Sequence, residues 1–287
     1  MQPSPLSKIS LEGRDFFVKR DDLFDPFLAG NKYRKLHTLL HTPKHKYKRI
    51  ISYGGTQSNA MLALAALCSK KEWEFVYYTK PLSKTQQNSI KGNFADALRL
   101  GMEHREIDAS LYRDFIASLD VTIDEKTLVV EQGGALVSAR EGLHVLAEEL
   151  KEQLKLLEID AIATPSGTGT TALFLAPMLP EFKIYTVACV GDSSYLKEQM
   201  RALGTIPANL KILEPSKKYH FAKPYKEFFD IYAKLLNAGV EFDLLYAPSM
   251  WLSILEQTRG SLVYVHSGGV SGNETMLERY RKKFALG

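Results

Sequence analysis

Cysteine is scarce in this chain, with two residues in 287. Cys68 and Cys189 both sit in apolar stretches, LALAALCSKK and IYTVACVGD. Two buried thiols exclude a disulfide framework or a thiolate metal cluster, and they suit a reducing cytoplasm. Long apolar runs are missing too. No stretch approaches the roughly 20 uncharged apolar residues of a membrane span. The opening MQPSPLSKISLEGRDFF has no apolar signal-peptide core. Strong charge of one sign is also absent, the net value being +4 at pH 7. The densest basic run, TPKHKYKRI at 42–50, falls between a helix pattern and a strand pattern. It reads as a solvated loop, and no nucleic-acid motif accompanies it. Neither a membrane nor a nucleic acid is therefore expected as a partner, and no metal site is expected. A small anionic ligand fits the mild basic excess. There is no internal repeat, heptad run or low-complexity linker.

What the chain does have is alternation. Short apolar or β-branched runs occur at 49–53 (RIISY), 74–79 (EFVYYT), 126–132 (KTLVVEQ), 159–164 (IDAIAT), 183–190 (KIYTVACV) and 261–266 (SLVYVH). Helical periodicity fills the gaps. NKYRKLHTLL puts Leu36, Leu39 and Leu40 on one face, NAMLALAALCSKK is apolar nearly all round, and REGLHVLAEELKEQLKLLE carries Leu143, Leu146 and Leu150 opposite charges. Strands separated by single helices imply crossover units, and so an α/β fold with mostly parallel sheets.

Two strand-to-helix loops carry chemistry. SYGGTQSNAMLAL turns at Gly54 and Gly55, and Thr56, Gln57, Ser58 and Asn59 lead into a helix. Free N–H groups at a helix start favour an anion, but one such polar residue is also an ordinary cap, and the pattern fits both. IDAIATPSGTGTTALFLAPML is denser, with Ser166, Gly167, Thr168, Gly169, Thr170 and Thr171 between strand and helix. Glycines let the backbone approach a phosphate and the hydroxyls add donors. The loop is no Walker A motif, since no lysine follows its last glycine, and it lacks the third glycine of a dinucleotide loop.

A third stretch, LAGNKYRKLHTLL, sets Lys32, Arg34 and Lys35 just after a Gly-Asn turn. Two anion sites and a lysine suit pyridoxal 5'-phosphate in particular. That cofactor needs its phosphate held, its aldehyde joined to a lysine, and an amino-acid carboxylate fixed beside it.

VKRDDLFDPFLAGNKYRKL resembles the entry motif of the 1-aminocyclopropane-1-carboxylate deaminase and D-cysteine desulfhydrase family. Further matches follow in order: GGTQSN (54–59), KGNFADALRLG (91–101), EQGGALVSAREG (131–142), PSGTGTT (165–171), YHFAKPY (219–225), FDLLYAPSM (242–250) and VHSGG (265–269). The resemblance covers nearly the whole chain. It implies a tryptophan-synthase-β-like fold of two open, twisted, mostly parallel sheets with flanking helices. The larger, cofactor-binding domain would span 1–37 and 146–287 and the smaller one 38–145, with the cofactor in the cleft. It also implies a homodimer, and the buried thiols point to the cytoplasm.

Carried over residue by residue, the resemblance makes Lys32 the Schiff-base lysine. Asn59 would donate to the cofactor's phenolic oxygen, and Gly167, Thr168, Gly169 and Thr170 would cradle the phosphate. Ser58, with Gln57 beside it, would face the substrate carboxylate and help move a proton, and Tyr246 would cover the substrate. Tyr219 and Phe221 would approach the site. Lys35, next to Leu36 on a helix, reads by periodicity as a surface or ion-pairing residue, and with Lys32 assigned, Arg34 and Lys35 become scaffold, structural or phosphate-proximal. The ring-opening deaminases have Glu after the matching tyrosine and Leu before the late Gly-Gly, where this chain has Ala247 and Ser267. The desulfhydrases carry small hydroxyl residues there. Ser267 fits that pattern as the partner of the pyridine nitrogen, and Ala247 fits neither. A carboxylate near that nitrogen would keep it protonated and strengthen the electron sink that ring opening needs. A neutral partner suits β-elimination, so the expected activity is a D-cysteine desulfhydrase-type lyase. Ring-opening deamination and a catalytically silent cofactor-binding homologue are the alternatives.

Overall fold

The computed structural model describes residues 2–28, 30–119, 124–131 and 139–285. Most of the 131–142 motif and the end of the 126–132 run lie outside them. In chain order the elements begin with β1 (Leu6–Leu11), β2 (Arg14–Lys19), α1 (Asn31–Lys35), α2 (His37–His41), β3 (Arg49–Tyr53), α3 (Asn59–Lys71) and β4 (Glu74–Thr79). There follow α4 (Lys84–Asn88), α5 (Asn93–Arg99), β5 (Met102–Glu106), α6 (Tyr112–Ser118), β6 (Thr127–Val129), α7 (Ala139–Leu154), β7 (Ala161–Ala163) and α8 (Thr170–Leu175). The chain ends through β8 (Lys183–Val187), α9 (Ser193–Leu203), β9 (Leu210–Leu213), α10 (Lys226–Asn237), α11 (Ala247–Gln257), β10 (Leu262–Val265) and α12 (Asn273–Phe284). None of the described helices is long and apolar enough to cross a membrane. The chain divides into two compact units, Met1–Arg34 with Arg140–Gly287, and Lys35–Ala139.

The first unit holds a six-stranded sheet in the order β1-β2-β10-β7-β8-β9. Only β1 runs antiparallel, against β2, and every other neighbour is parallel. Period-2 alternation sends side chains to two apolar layers. Phe16, Val18, Ala161, Ala163 and Tyr264 pack on one face with Ile231, Met250, Trp251 and Ile254 from α10 and α11. Ile162, Ile184, Val263 and Val265 pack on the other with Leu143, Leu146 and Leu150 of α7 and residues of α8 and α9. The α7 leucines are fully buried, as their spacing predicts. Burial on both faces accounts for the nearly continuous apolar runs of β7 and β10.

The second unit holds a four-stranded parallel sheet in the order β5-β4-β3-β6. Its helix α3 is buried without a break from Ala60 to Cys68, as expected of a helix apolar all round. The NKYRKLHTLL stretch departs from its expected single helix. It forms α1 and α2, broken at Leu36, whose side chain is buried at the break. Both thiols are free and buried, and desolvation raises the pKa of each.

Candidate active site

In the first unit the chemistry gathers where parallel strands end. β10 lies between β2 and β7, so three loops leave the sheet at one edge. The chain after β2 leads to Lys32, the chain after β10 contains Ser267, and the chain after β7 is the glycine and hydroxyl loop. Ligands of open α/β sheets bind at such carboxyl edges.

Backbone packing joins the first two loops. The Asn31 N–H donates to the Ser267 carbonyl at 3.3 Å. Gly30 has φ +59°, and a β-carbon on it would lie 2.1 Å from the Ser267 carbonyl carbon and oxygen. Only glycine fits that approach. The Ser267 loop is itself fixed by His266, which is fully buried. Its Nδ1 accepts the Gly268 N–H at 3.0 Å and its Nε2 meets the Glu241 carbonyl at 2.8 Å. This pattern puts the ring proton on Nε2. Burial pulls the Lys32 ammonium down from 10.5 to about 8, because the charged form loses its hydration. An amine so poised has a substantial neutral fraction near neutral pH, as a nucleophile or base requires.

The loop after β7 is zipped to β8. Ser166 N–H donates to the Val187 carbonyl and Cys189 N–H to the Ser166 carbonyl, at 3.1 and 2.9 Å. The Ser166 and Thr186 hydroxyls meet at 2.7 Å, and Thr186 donates to the Thr164 carbonyl at 2.7 Å. On this base Gly169 takes φ +78° and caps α8. A β-carbon there would meet Met200 at 2.6 Å. The Thr168 and Thr170 hydroxyls lie 2.9 Å apart. Thr171 Oγ1 is buried and has no hydrogen-bond partner among the described residues. The first N–H groups of α8 add donors with no carbonyl of the helix to satisfy them. Backbone donors, clustered hydroxyls and an orphaned buried oxygen suit a phosphate.

Tyr246 precedes α11, and its ring lies 3.5 Å from where a Gly167 β-carbon would be. Burial raises its pKa, as do Cys189 and Asp243, so the phenol stays protonated at neutral pH. The Phe221 ring lies 5.3 Å from that of Tyr246. Tyr219 instead packs on Phe228 and Tyr225, at 4.4 and 5.0 Å, in the aromatic cluster on α10. Ala247 is buried at the start of α11. Sequence reasoning passed over Asp243, whose Oδ1 accepts the Leu245 and Tyr246 N–H groups at 2.9 and 2.6 Å. Its burial raises its pKa.

In the second unit Ser58 caps α3, accepting the Met61 N–H at 3.2 Å. Asn59 Oδ1 accepts from Asn93 Nδ2 at 2.7 Å, and Asn93 also donates to the Gln57 carbonyl at 3.1 Å. The Asn59 amide nitrogen is thereby left as the donor end of that side chain. Gln57 is exposed and donates to the Lys91 carbonyl at 3.1 Å. Asn93 was in a quoted motif but had no assigned role. Its spacing from Gln57 and Asn59 gives no signal, because only the packing of α5 on α3 brings them together.

Curated relatives match along nearly the whole chain. A Thermotoga maritima protein provisionally named 1-aminocyclopropane-1-carboxylate deaminase is 26% identical, covering 95% of each chain. A Salmonella paratyphi A D-cysteine desulfhydrase is 24% identical over 93% of this chain and 92% of its own. The chain is similar along nearly its whole length to proteins named as aminocyclopropane-carboxylate deaminases and D-cysteine desulfhydrases. An Arabidopsis thaliana relative of this group, 21% identical over 94% of the chain and 77% of its own, is named as bifunctional for both activities. The fold agrees with a solved structure described as an ACC deaminase homologue, at TM-score 0.78 and 22% identity over 97% of this chain and 94% of that one. No family model matches the chain.

Proposed function

We propose that this protein is a pyridoxal-phosphate-dependent lyase that deaminates a small amino acid, with D-cysteine as substrate and pyruvate, ammonia and sulfide as products. The carrying observation is the poised Lys32 amine at the same sheet edge as the glycine and hydroxyl loop. The residues fit the cofactor: Gly167, Thr168, Gly169 and Thr170 would hold its phosphate, Lys32 its aldehyde carbon, Ser267 its ring nitrogen and Asn59 its phenolic oxygen. Bound there, it would supply an electron sink for the α-carbon of the substrate.

The protein's own groups do the rest. Lys32 Nζ would take the α-proton of the substrate. Gln57, Ser58 and Asn59 hold the substrate carboxylate at the start of α3. The Ser58 hydroxyl already serves as a cap, so it orients the carboxylate and Lys32 carries the proton. Tyr246 remains a neutral phenol and covers the substrate.

Elimination is preferred over ring opening because Ala247 stands where the deaminases carry Glu and Ser267 is a neutral partner for the ring nitrogen. The second reading, ring opening of aminocyclopropane carboxylate, draws on the relatives that bear that name. Assaying keto acids from D-cysteine, L-cysteine, D-serine, L-serine and aminocyclopropane carboxylate separates the two. Pyruvate and sulfide from D-cysteine support elimination. 2-Oxobutyrate from the cyclopropane without pyruvate and sulfide from D-cysteine overturns it, and loaded protein inactive on every substrate overturns both. Lys32→Ala abolishes the absorbance band of covalently held cofactor near about 420 nm. Full retention of that band sinks the assignment of Lys32.

A further inference from the structure

Lys32 sits on a helix too short to hold itself. α1 has five residues, and a single turn is unfavourable in water, because nucleation fixes several residues for one hydrogen bond. Its stability comes from elsewhere in the first unit.

Arg34, two residues on, is 1% exposed. Its guanidinium takes Asp21 through two bonds of 2.9 and 2.8 Å, and Glu149 of α7 through two of 2.7 Å. Glu149 also meets Lys19 Nζ at 2.7 Å. Lys19 Nζ further donates to Gln153 Oε1 at 2.8 Å and to the Ser4 carbonyl at 2.6 Å, so its three N–H groups are engaged. Ser4 Oγ donates to Asp21 Oδ1 at 2.6 Å. Two buried cations therefore face two buried carboxylates with no net charge. Such a set adds little stability over well-packed apolar groups, but it is strongly directional, and forked Arg–carboxylate pairs fix orientation.

Aromatic packing closes the same end. The Phe24 ring lies 4.7 Å from Arg34 Cζ and stacks on Tyr33 at 4.5 Å. Residues 33 and 34 are thus held from one side, and Gly30 and Asn31 are held from the other by the Ser267 carbonyl. Lys32 lies between the two clamps.

We propose that the Asp21–Arg34–Glu149–Lys19 network is a positioning device for Lys32, locking α1 so that the amine stays in its dehydrated place as a single poised nucleophile. Its purpose rests on the reading of Lys32 as the cofactor-bearing amine, while its geometry does not. The network acts through position, by keeping the amine in the buried place that lowers its basicity. Loosening α1 admits water and returns the amine toward its ordinary value.

Competitive acetylation of the cofactor-free protein across pH 6.5–10.5, read at Lys32 by mass spectrometry, tests this. The wild-type midpoint falls at about 8. In Glu149→Gln and Arg34→Lys it climbs by a unit or more, cutting Lys32 reactivity at pH 7.5 about tenfold. Phe24→Leu, at a half-buried ring, shifts it the same way by less. If the polar variants do not fold, Phe24→Leu decides alone. An unmoved midpoint in folded variants with a lowered melting temperature makes the network merely structural and overturns the proposal. Adding pyridoxal phosphate to the wild type tests the other reading separately, since failure to bind it covalently removes the role of Lys32 but leaves the labelling result intact.

Discussion

Gly30→Ala is the sharpest perturbation of the site that leaves every chemical group in place. The new methyl would lie 2.1 Å from the Ser267 carbonyl carbon and oxygen and 2.3 Å from the Gly268 nitrogen. These are backbone atoms, so no rotamer change relieves the clash. The left-handed φ of +59° adds about 1 kcal/mol for a residue with a β-carbon. Overpacking of this kind costs about 1–3 kcal/mol more. Together they lower the unfolding free energy by about 2–4 kcal/mol, measurable by urea denaturation. The functional loss exceeds the loss of stability. The Ser267 loop and the turn before Lys32 are pushed apart, so cofactor capture falls in protein that is still folded. Folded Gly30→Ala with unchanged stability and undiminished cofactor binding would falsify the argument that this contact sets the site.

Gly169→Ala weakens cofactor retention, because the β-carbon meets Met200 and φ is +78°. Adding Met200→Ala restores part of the affinity by making room and leaves the backbone strain, whereas no loss in the single variant would remove the loop from the phosphate site. Cofactor capture by the apo protein rises about tenfold per pH unit up to about 8 and then flattens, because the neutral Lys32 amine grows as pH climbs through its lowered value. A rise continuing to pH 10 contradicts the burial of that amine. Neither Cys68 nor Cys189 reacts with iodoacetamide in the native state at pH 8, since burial holds both as thiols. Fast alkylation of either, counted by intact mass, refutes this.

The strands legible in the sequence were apolar or β-branched runs. β3, β4, β6, β7, β8 and β10 announce themselves in this way, and α3 as an apolar helix. β1 and β2 were overlooked because polar residues interrupt β1, LSKISL, and charged residues flank the short Phe16-Phe17-Val18 run of β2. β5 was hidden by MEHRE, the composition of a charged edge strand. The same limit applied to the site. Lys32 and the phosphate loop stood out because their chemistry is local, a lysine after a Gly-Asn turn and glycines among hydroxyls. Arg34 and Lys35 looked like ordinary basic residues, yet both are buried, and Lys35 is not on the surface. The partners of Arg34, Asp21 and Glu149, lie 13 and 115 residues away. No periodicity links them, and only folding shows that the basic cluster is one half of a neutral set.

The sheet of the first unit is closed by a strand from the far end of the chain. β2 pairs with β10, Phe17 opposite Val263, and β10 also separates β2 from β7. In chain order Lys32 precedes β10 by the whole second unit, which is contiguous from Lys35 to Ala139. Synthesis therefore presents the described strands of the second unit before the contact that holds the turn at Lys32. A nascent chain stalled before Leu262 carries the reactive residue but none of the Ser267 contact that holds its turn.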